Sequence, residues 1–270
     1  MGWPLAFSTL GCSGMPLPEV VELARSTGWL GLELRAAEDE PVHVGLSARE
    51  RAAARAVLAT GGVTTLAVAS YVKVALGGIS DEECVTDALA HAELARDLGA
   101  PFVRVFPGAE EPGDEADTRA VRRLNAIAGQ LPDGVSVLLE THDSHPQGVD
   151  IARVLSRVAG AASGSASGSG NIGAIWDVMH PWRTGEPIAV TRRVLAPYLK
   201  HVQVKDVLSA TERTPLPLGA GSVPLREFYA ALREVGYQGW MSLEWESKWH
   251  PEAVELGEAL KVKPDFGGLA

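Results

Sequence analysis

The sequence predicts an α/β protein built as a single (β/α)8 barrel, and three observations predict it. Short β-like runs alternate with helical stretches along the whole chain, and eight such runs can be counted. Consecutive βα units call for parallel strands joined by right-handed crossovers. The length of 270 residues suits one barrel, a fold that typically takes about 250. A doubly wound open sheet is the rival, but it favours a glycine-rich phosphate loop after its first strand, and the segment "LGCSGMP" there does not fit GxGxxG. A single domain over residues 1–270 is therefore expected.

Each element has its own signal. The expected strands are Leu5–Leu10, Gly31–Arg35, Val63–Ser70, Phe102–Phe106, Val135–Glu140, Ile172–Asp177, His201–Lys205 and Gly239–Trp245. They are short apolar runs bounded by glycine, proline or polar clusters. Glu19–Ser26 reads as the first helix. Ser47 opens the second and Ser80 the third, each with a glutamate three residues on (Glu50, Glu83), the reciprocal arrangement that satisfies two free N–H groups at a helix start. Thr118–Leu131, Asp150–Val158, Ile188–Leu199 and Leu225–Val235 follow, and Pro251–Leu260 closes the series. Gly28, Gly61, Gly99 and Gly236 follow helix ends, where a left-handed residue is wanted. The low-complexity stretch "GAASGSASGSG" at Gly160–Gly170 reads as a flexible loop before strand six, on the side of the barrel away from chemistry.

Composition narrows the partners. Hydrophobic residues make up 46% and charged residues 21%, ordinary values for a globular chain. The net charge of −10 argues against nucleic acid, whose binders carry a basic excess to neutralise phosphate. Small molecules or cations are the expected partners. The two cysteines, Cys12 and Cys84, stand in no metal-type spacing, which fits a reducing cytoplasm. The start, "MGWPLAFSTLG", lacks the basic and apolar regions of a signal peptide, and no apolar run reaches the ~20 residues that span a bilayer. Self-association into a homo-oligomer is compatible with the sequence.

Polar residues then fall in a pattern. Successive strand residues point to opposite sides, so one parity faces a barrel's interior. At one parity the later strands carry Leu138, Glu140 and His142; Ile175 and Asp177; His201, Gln203 and Lys205; Ser242, Glu244 and Glu246. The other parity is mostly apolar, with Val137, Leu139, Trp176, Val202, Val204, Met241, Leu243 and Trp245. The polar groups gather at the carboxyl ends, the active face of such barrels. Burying several carboxylates together is costly unless they are paired or hold a cation. Glu140, Asp177 and Glu244 with the neutral Gln203 make a four-oxygen set suited to one divalent metal ion, Mn²⁺ or Mg²⁺ first and Co²⁺ or Zn²⁺ next. A strand-terminal acid taken alone is often just a helix cap; four at matching ends and parity point to a site.

His180, three residues after Asp177, His142, Lys205, Glu246 and Arg104 are the candidate substrate-binding groups. Their bland readings stand beside this. His142 and His201 would orient ligands from behind, Lys205 and Asp206 would form an ordinary ion pair, and Glu33, Arg35 and Arg104 would pair inside the barrel. Trp176, Trp182, Trp240, Trp245 and Trp249 are expected around the same strand ends, mostly as packing, with one or two walling the pocket.

Five segments carry a resemblance: "LLETHD" at Leu138–Asp143, "IWDVMHPW" at Ile175–Trp182, "HVQVKD" at His201–Asp206, "LGAGSVP" at Leu218–Pro224 and "GYQGWMSLEWE" at Gly236–Glu246. In order and context the chain resembles the xylose isomerase-like TIM barrel superfamily of sugar-phosphate isomerases and epimerases over nearly its whole length. The resemblance places Glu140, Asp177, Gln203 and Glu244 on the metal-ligand positions. Many members have histidine where this chain has Gln203, while hydroxypyruvate isomerase-like and certain dehydroshikimate dehydratase-like members have glutamine. It implies that His180 touches substrate oxygens and that Glu140 and Glu244 double as acid/base groups on opposite faces of the substrate. The chemistry implied is isomerisation or epimerisation of a sugar, sugar acid or cyclitol through a metal-stabilised enediolate. A dehydratase of the inosose or dehydroshikimate type is the alternative. An endonuclease IV-like enzyme on the same barrel needs several zinc ions and more ligands than seven histidines and this charge suggest. A non-catalytic barrel is disfavoured by the complete four-residue set.

Overall fold

A computed structural model describes residues 2–159, 161 and 170–267. The glycine- and serine-rich stretch expected as a loop therefore lies outside the described residues except for Ala161 and Gly170. Eight parallel strands close into a barrel: β1 (Leu5–Ser8), β2 (Gly31–Arg35), β3 (Thr64–Lys73), β4 (Phe102–Phe106), β5 (Ser136–Glu140), β6 (Ile172–Asp177), β7 (Leu199–Val204) and, after a two-stranded hairpin β8 (Asp206–Val207) and β9 (Pro215–Leu216), β10 (Met241–Leu243). The order around the barrel is β1-β10-β7-β6-β5-β4-β3-β2, so chain order is barrel order. Helices α1 (Leu17–Thr27), α2 (Ala48–Thr60), α3 (Asp81–Leu98), α4 (Asp114–Ala128), α5 (Gly148–Leu155), α6 (Met179–Arg183), α7 (Ile188–Leu195), α8 (Leu225–Glu234) and α9 (Leu256–Ala259) fall between and after the strands. The predicted (β/α)8 fold class is the observed one.

Local chemistry explains most boundaries. Both capping boxes form: Ser47 and Glu50 at α2, Ser80 and Glu83 at α3. Gly28 and Gly99 take the left-handed conformation after α1 and α3, but after α2 it is Gly62, not Gly61, with φ of 70°. Strand one stops at Ser8 because its hydroxyl accepts the N–H of Leu10 and turns the chain into a 3₁₀ turn at Thr9–Cys12. The closing helix shrinks from the expected Pro251–Leu260 to Leu256–Ala259, and α6 and the β8–β9 hairpin were not anticipated. Strand β3 runs three residues past Ser70. Its continuation Val74 and Ala75 donates to the carbonyls of Phe106 and Pro107. Buried Arg123 of α4 then ties down the Val74, Leu76 and Ile79 carbonyls.

Two cores result. The large one lies between strands and helices and takes the outward parity, including Val103, Val105, Leu139, Trp176, Val202, Val204, Leu243 and Trp245. The barrel interior is different: Ala6, Ala67, Ala69, Leu138 and Ile175 leave room for buried Glu33, Arg104, Glu140, Asp177, His201, Gln203 and Glu244. Small residues on β1 and β3 therefore make the space, and the polar residues fill it. Trp240 departs from the expected cluster at the carboxyl ends. It packs at Gly31, the first residue of β2, and so belongs to the amino-terminal end. Among the described residues no helix is long and apolar enough to cross a membrane.

Candidate active site

Four strands deliver the four oxygen-bearing side chains to one place. Glu140 and Asp177 are the last residues of β5 and β6, Gln203 sits near the end of β7, and Glu244 directly follows β10. Asp177 is in register with Gln203, which is in register with Ser242, and the Glu244 N–H continues the ladder to the Val204 carbonyl at 3.1 Å. Carboxylate oxygens of Glu140, Asp177 and Glu244 lie within 4.8 Å of one another. Gln203 Nε2 donates to Glu33 Oε2 at 2.9 Å and to Glu244 Oε1 at 3.4 Å. All four residues are buried.

Two cations stand among them. Arg104 Nη1 lies 3.5 Å from Glu140 Oε2 and 3.4 Å from Glu244 Oε1, bridging the first and last glutamates, while its Nη2 donates to the Ser70 carbonyl at 2.9 Å. Lys205 Nζ lies 2.8 Å from Asp177 Oδ2, donates to Glu246 Oε1 at 2.6 Å and also pairs with Glu244 Oε2. The expected Lys205–Asp206 pair does not form. Alternation turns Asp206 to the other side of the strand, where its carboxylate accepts four backbone N–H groups, those of Val207, Gly219, Gly221 and Val223. With all four carboxyls (Glu140, Asp177, Glu244, Glu246) ionised, two permanent cations would leave two negative charges, the complement of one divalent ion.

The ionisation pattern follows from burial and pairing. Burial pushes the Glu140 carboxyl well above the carboxylate range, Arg104 pulls it back only in part, and Glu244 and Asp177 push it further up. Burial likewise raises Asp177, to about 6, against the pull of Lys205. Glu244 is buried too, but Lys205 and Arg104 outweigh that cost and hold it below its ordinary value. Lys205 is stabilised as a cation by Asp177, Glu244 and Glu246, which overcome its own desolvation. Two neighbouring carboxyls pushed in opposite directions are the usual starting point for acid/base division of labour.

The oxygens also have room for a ligand. Both oxygens of Glu140 and the Gln203 Oε1 are buried without a hydrogen bond among the described residues, and Asp177 Oδ2 meets only the Lys205 ammonium. Buried acceptors are rarely left so. An oxygen-rich, hard donor set with unused lone pairs fits a divalent cation, and Glu140, Asp177, Gln203 and Glu244 are the residues that would hold it.

The histidines divide. His142 and His180 belong to the site: their rings are 4.3 Å apart, and with Glu140 they form a second group whose ligand atoms lie within 4.8 Å of one another. Burial, then His142 and the cations Lys205, Arg183 and Arg213, push His180 well below the usual imidazole range, which favours the neutral ring, and its Nε2 has no hydrogen-bond partner among the described residues. His142 is aimed by a short turn in which it and His145 exchange backbone hydrogen bonds around Asp143, whose φ is +47°. Buried His145 is in turn gripped by Asp117 at 2.8 Å. His201 is one layer deeper, its Nε2 3.0 Å from Glu33 Oε1, and Glu33 accepts from Gln203, so His201 reaches the site through Glu33. Arg35 pairs outside the cluster, with Asp39 and Glu40 and with the Tyr71 hydroxyl at 2.7 Å.

A cavity of about 310 Å³ opens above Glu244 and Glu246. Its lining includes Tyr71, Lys73, Arg104, Phe106, His142, Arg213 and Trp249. Sequence reading missed Tyr71 and Lys73, which lie beyond the expected end of β3, and Arg213, which sits in an irregular loop without periodicity. Of the tryptophans expected as pocket walls, Trp249 lines the cavity, 56% exposed, whereas Trp176 and Trp245 are buried on the helix side. A larger groove of about 920 Å³ runs beside it, between the segment after β1 and the loop after β10. It lacks the converging buried carboxylates.

A family model for the xylose isomerase-like TIM barrel matches residues 21–262. The chain belongs to this family. Four of the five segments that suggested it carry site residues, and the other, Leu218–Pro224, wraps the Asp206 carboxylate. A candidate hydroxypyruvate isomerase of Streptomyces coelicolor is 28% identical over 169 residues, 60% of this chain and 58% of that protein, so the match spans less than two thirds of the relative. Among solved structures, a probable 3-DHS dehydratase of Bacillus anthracis involved in petrobactin synthesis superposes with a TM-score of 0.75 at 19% identity, over 96% of this chain and 97% of that one. The IOLI protein, solved with a zinc atom, has a TM-score of 0.77 at 17% identity, over 96% and 95% of the two chains. At those identities the structures establish the shared fold; the relatives' names span an isomerase and a dehydratase.

Proposed function

We propose that this chain is a divalent-metal-dependent isomerase or epimerase that moves a carbon-bound proton on a small polyhydroxylated carbonyl compound. The observation that carries the reading is the convergence of Glu140, Asp177 and Glu244 at the carboxyl ends of three barrel strands, with oxygens of Glu140 and Gln203 left without a hydrogen bond among the described residues. When bound, the cation supplies Lewis acidity to the substrate's carbonyl and neighbouring hydroxyl, which lowers the cost of removing the adjacent proton.

The chain's residues do the rest. Glu244, kept ionised by Lys205 and Arg104, is the carboxylate ready to take the proton. Glu140 is the group that gives one back, from the other end of the Arg104 bridge. Arg104 fixes the two side chains relative to each other, so the proton leaves and returns on set faces. Neutral His180 offers a free ring nitrogen to a substrate hydroxyl. The Phe106 ring, 4.3 Å from His142, walls the cavity and limits water.

A lyase is the second reading, and Lys205 favours it. Its ammonium group, fixed between Asp177, Glu244 and Glu246, is a standing positive charge beside a departing β-hydroxyl that takes its proton from Glu140. One experiment separates the two: proton NMR in D₂O with manganese-loaded protein and a panel of ketoses, keto acids and inososes. Deuterium at the carbon beside the carbonyl without loss of water supports the isomerase. An olefinic or enolic product supports the lyase. No exchange and no product with any member of the panel would remove both.

A further inference from the structure

Beyond the reacting end of the site, we infer that the mouth of the cavity is a subsite for an anionic group on the substrate, a carboxylate or a phosphate monoester, held by Arg213 and Lys73. The inference takes the position of the reacting end from the proposed function; the anion contact stands on its own geometry.

The geometry is an imbalance of partners. Three acids line the cavity, Asp143, Glu244 and Glu246. Each already has a partner: His142 Nδ1 is 2.7 Å from Asp143, and Lys205 serves both glutamates. Lys73 and Arg213 line the same cavity, and among the described residues neither forms an ion pair. A third cation stands behind them: Arg183 of α6 donates from Nε to the Ala210 carbonyl at 3.4 Å, on the same loop that carries Arg213, and it too forms no ion pair among the described residues. Burial and then the nearby Arg213 lower the Arg183 affinity for its proton, against the opposing pull of Glu246. Arg213 and Lys73 at the mouth, with no ion pair among the described residues, offer an anion charge-assisted contacts, bidentate from the arginine, and Arg183 behind them adds to the positive potential.

The loop that presents Arg213 is not left to chance. The β8–β9 hairpin closes its base, and the Asp206 carboxylate gathers the N–H groups of Gly219, Gly221 and Val223 beneath it. Lys73 is presented from the other side of the mouth by the extension of β3. A cavity of about 310 Å³ is at the small end of ligand pockets, so the substrate is short, with its anion at one end and its carbonyl at the other.

The test is titration calorimetry on the full, manganese-loaded chain with a matched four-carbon series: erythritol, D-erythronate and erythritol 4-phosphate. At least one anion should bind tenfold or more tightly than erythritol. Arg213→Gln and Lys73→Gln, both at exposed positions that leave the fold alone, should each cost that anion fivefold or more in affinity while Mn²⁺ and erythritol bind as before. Whichever anion carries the advantage names the group. Equal binding of erythritol, or an anion advantage that survives in both variants, would overturn the subsite; direct chelation of the metal by the carboxylate would give the second result. The reaction reading fails separately: anion binding that depends on Arg213, with no deuterium exchange on any carbonyl compound, keeps the subsite and removes the isomerase. Deuterium exchange that proceeds equally well on neutral ketoses and on their acids keeps the isomerase and removes the subsite.

Discussion

Asp206→Ala should be among the most damaging substitutions outside the site itself. The carboxylate accepts Val207 N–H at 3.0 Å, Val223 N–H at 3.1 Å, Gly219 N–H at 2.8 Å and Gly221 N–H at 2.9 Å. Removing it leaves four donors without an acceptor. Gly219 and Gly221 are near solvent and can turn to water, whereas Val207 and Val223 are buried. A buried unsatisfied donor costs about 1–3 kcal/mol, so the two together predict a loss of about 2–6 kcal/mol. That is a large part of the roughly 5–15 kcal/mol by which proteins are folded. Asp206→Asn can keep an oxygen at the Oδ1 position, which serves both buried donors, and give up only the two glycine contacts near solvent, so it should lose well under half as much. Gly221→Ala attacks the same contact from the other side, because its Cβ would collide with the Asp206 carboxylate and the Val207 carbonyl. Urea unfolding of the metal-free chains measures all three, read at constant m-value. Hydrogen exchange at residues 219–223 should rise in step. A loss below about 1 kcal/mol for the alanine variant would show that water replaces the carboxylate at every donor, and would refute the accounting.

Three further outcomes follow from the same structure. Glu140→Gln and Glu244→Gln should each lower turnover by about 10²- to 10⁴-fold with the far-ultraviolet circular dichroism unchanged; activity retained in both would end their acid/base roles. Saturating Mn²⁺ at about a hundred times its Kd should add about 2.7 kcal/mol to the folded state, a rise of about 5–10 °C in Tm for a chain of this size, reversed by chelation. No shift with Mn²⁺, Mg²⁺, Co²⁺ or Zn²⁺ would leave the carboxylate cluster without its cation. Asp117 gives a pH signature: burial alone would raise its carboxyl, but hydrogen bonds from Arg153 and His145 hold it below the ordinary value. A depressed carboxyl stabilises the fold above its unfolded pKa of about 3.9, and that contribution fades as pH falls through the lower folded value. The stability gap between wild type and Asp117→Asn should therefore be full at pH 6 and shrink from about pH 4 downward. A gap that is constant or grows with acid would contradict the assignment.

Much of this protein was legible without coordinates, and for local reasons. Alternation decides which side of a strand a residue faces, so the parity of Glu140, Asp177, Gln203 and Glu244 was readable directly. Capping boxes at Ser47 and Ser80 form from three-residue spacings and needed no tertiary context. Ends that depend on distant partners were misplaced. Strand β3 runs on to Lys73 because its continuation finds the Phe106 and Pro107 carbonyls. Pro251–Leu260 kept only one helical turn.

What the sequence by itself determined is the barrel, its polar inner parity and the four side chains gathered at the carboxyl ends, because period and order are properties of the chain. Only the tertiary structure decided who pairs with whom. It put Arg104 between Glu140 and Glu244, turned Lys205 to Asp177 and Glu246 and its neighbour Asp206 to the backbone of a loop, and left Lys73 and Arg213 unpaired at the mouth. Those outcomes depend on distances between strands far apart in sequence, and Coulomb energy in a buried site is set by distance.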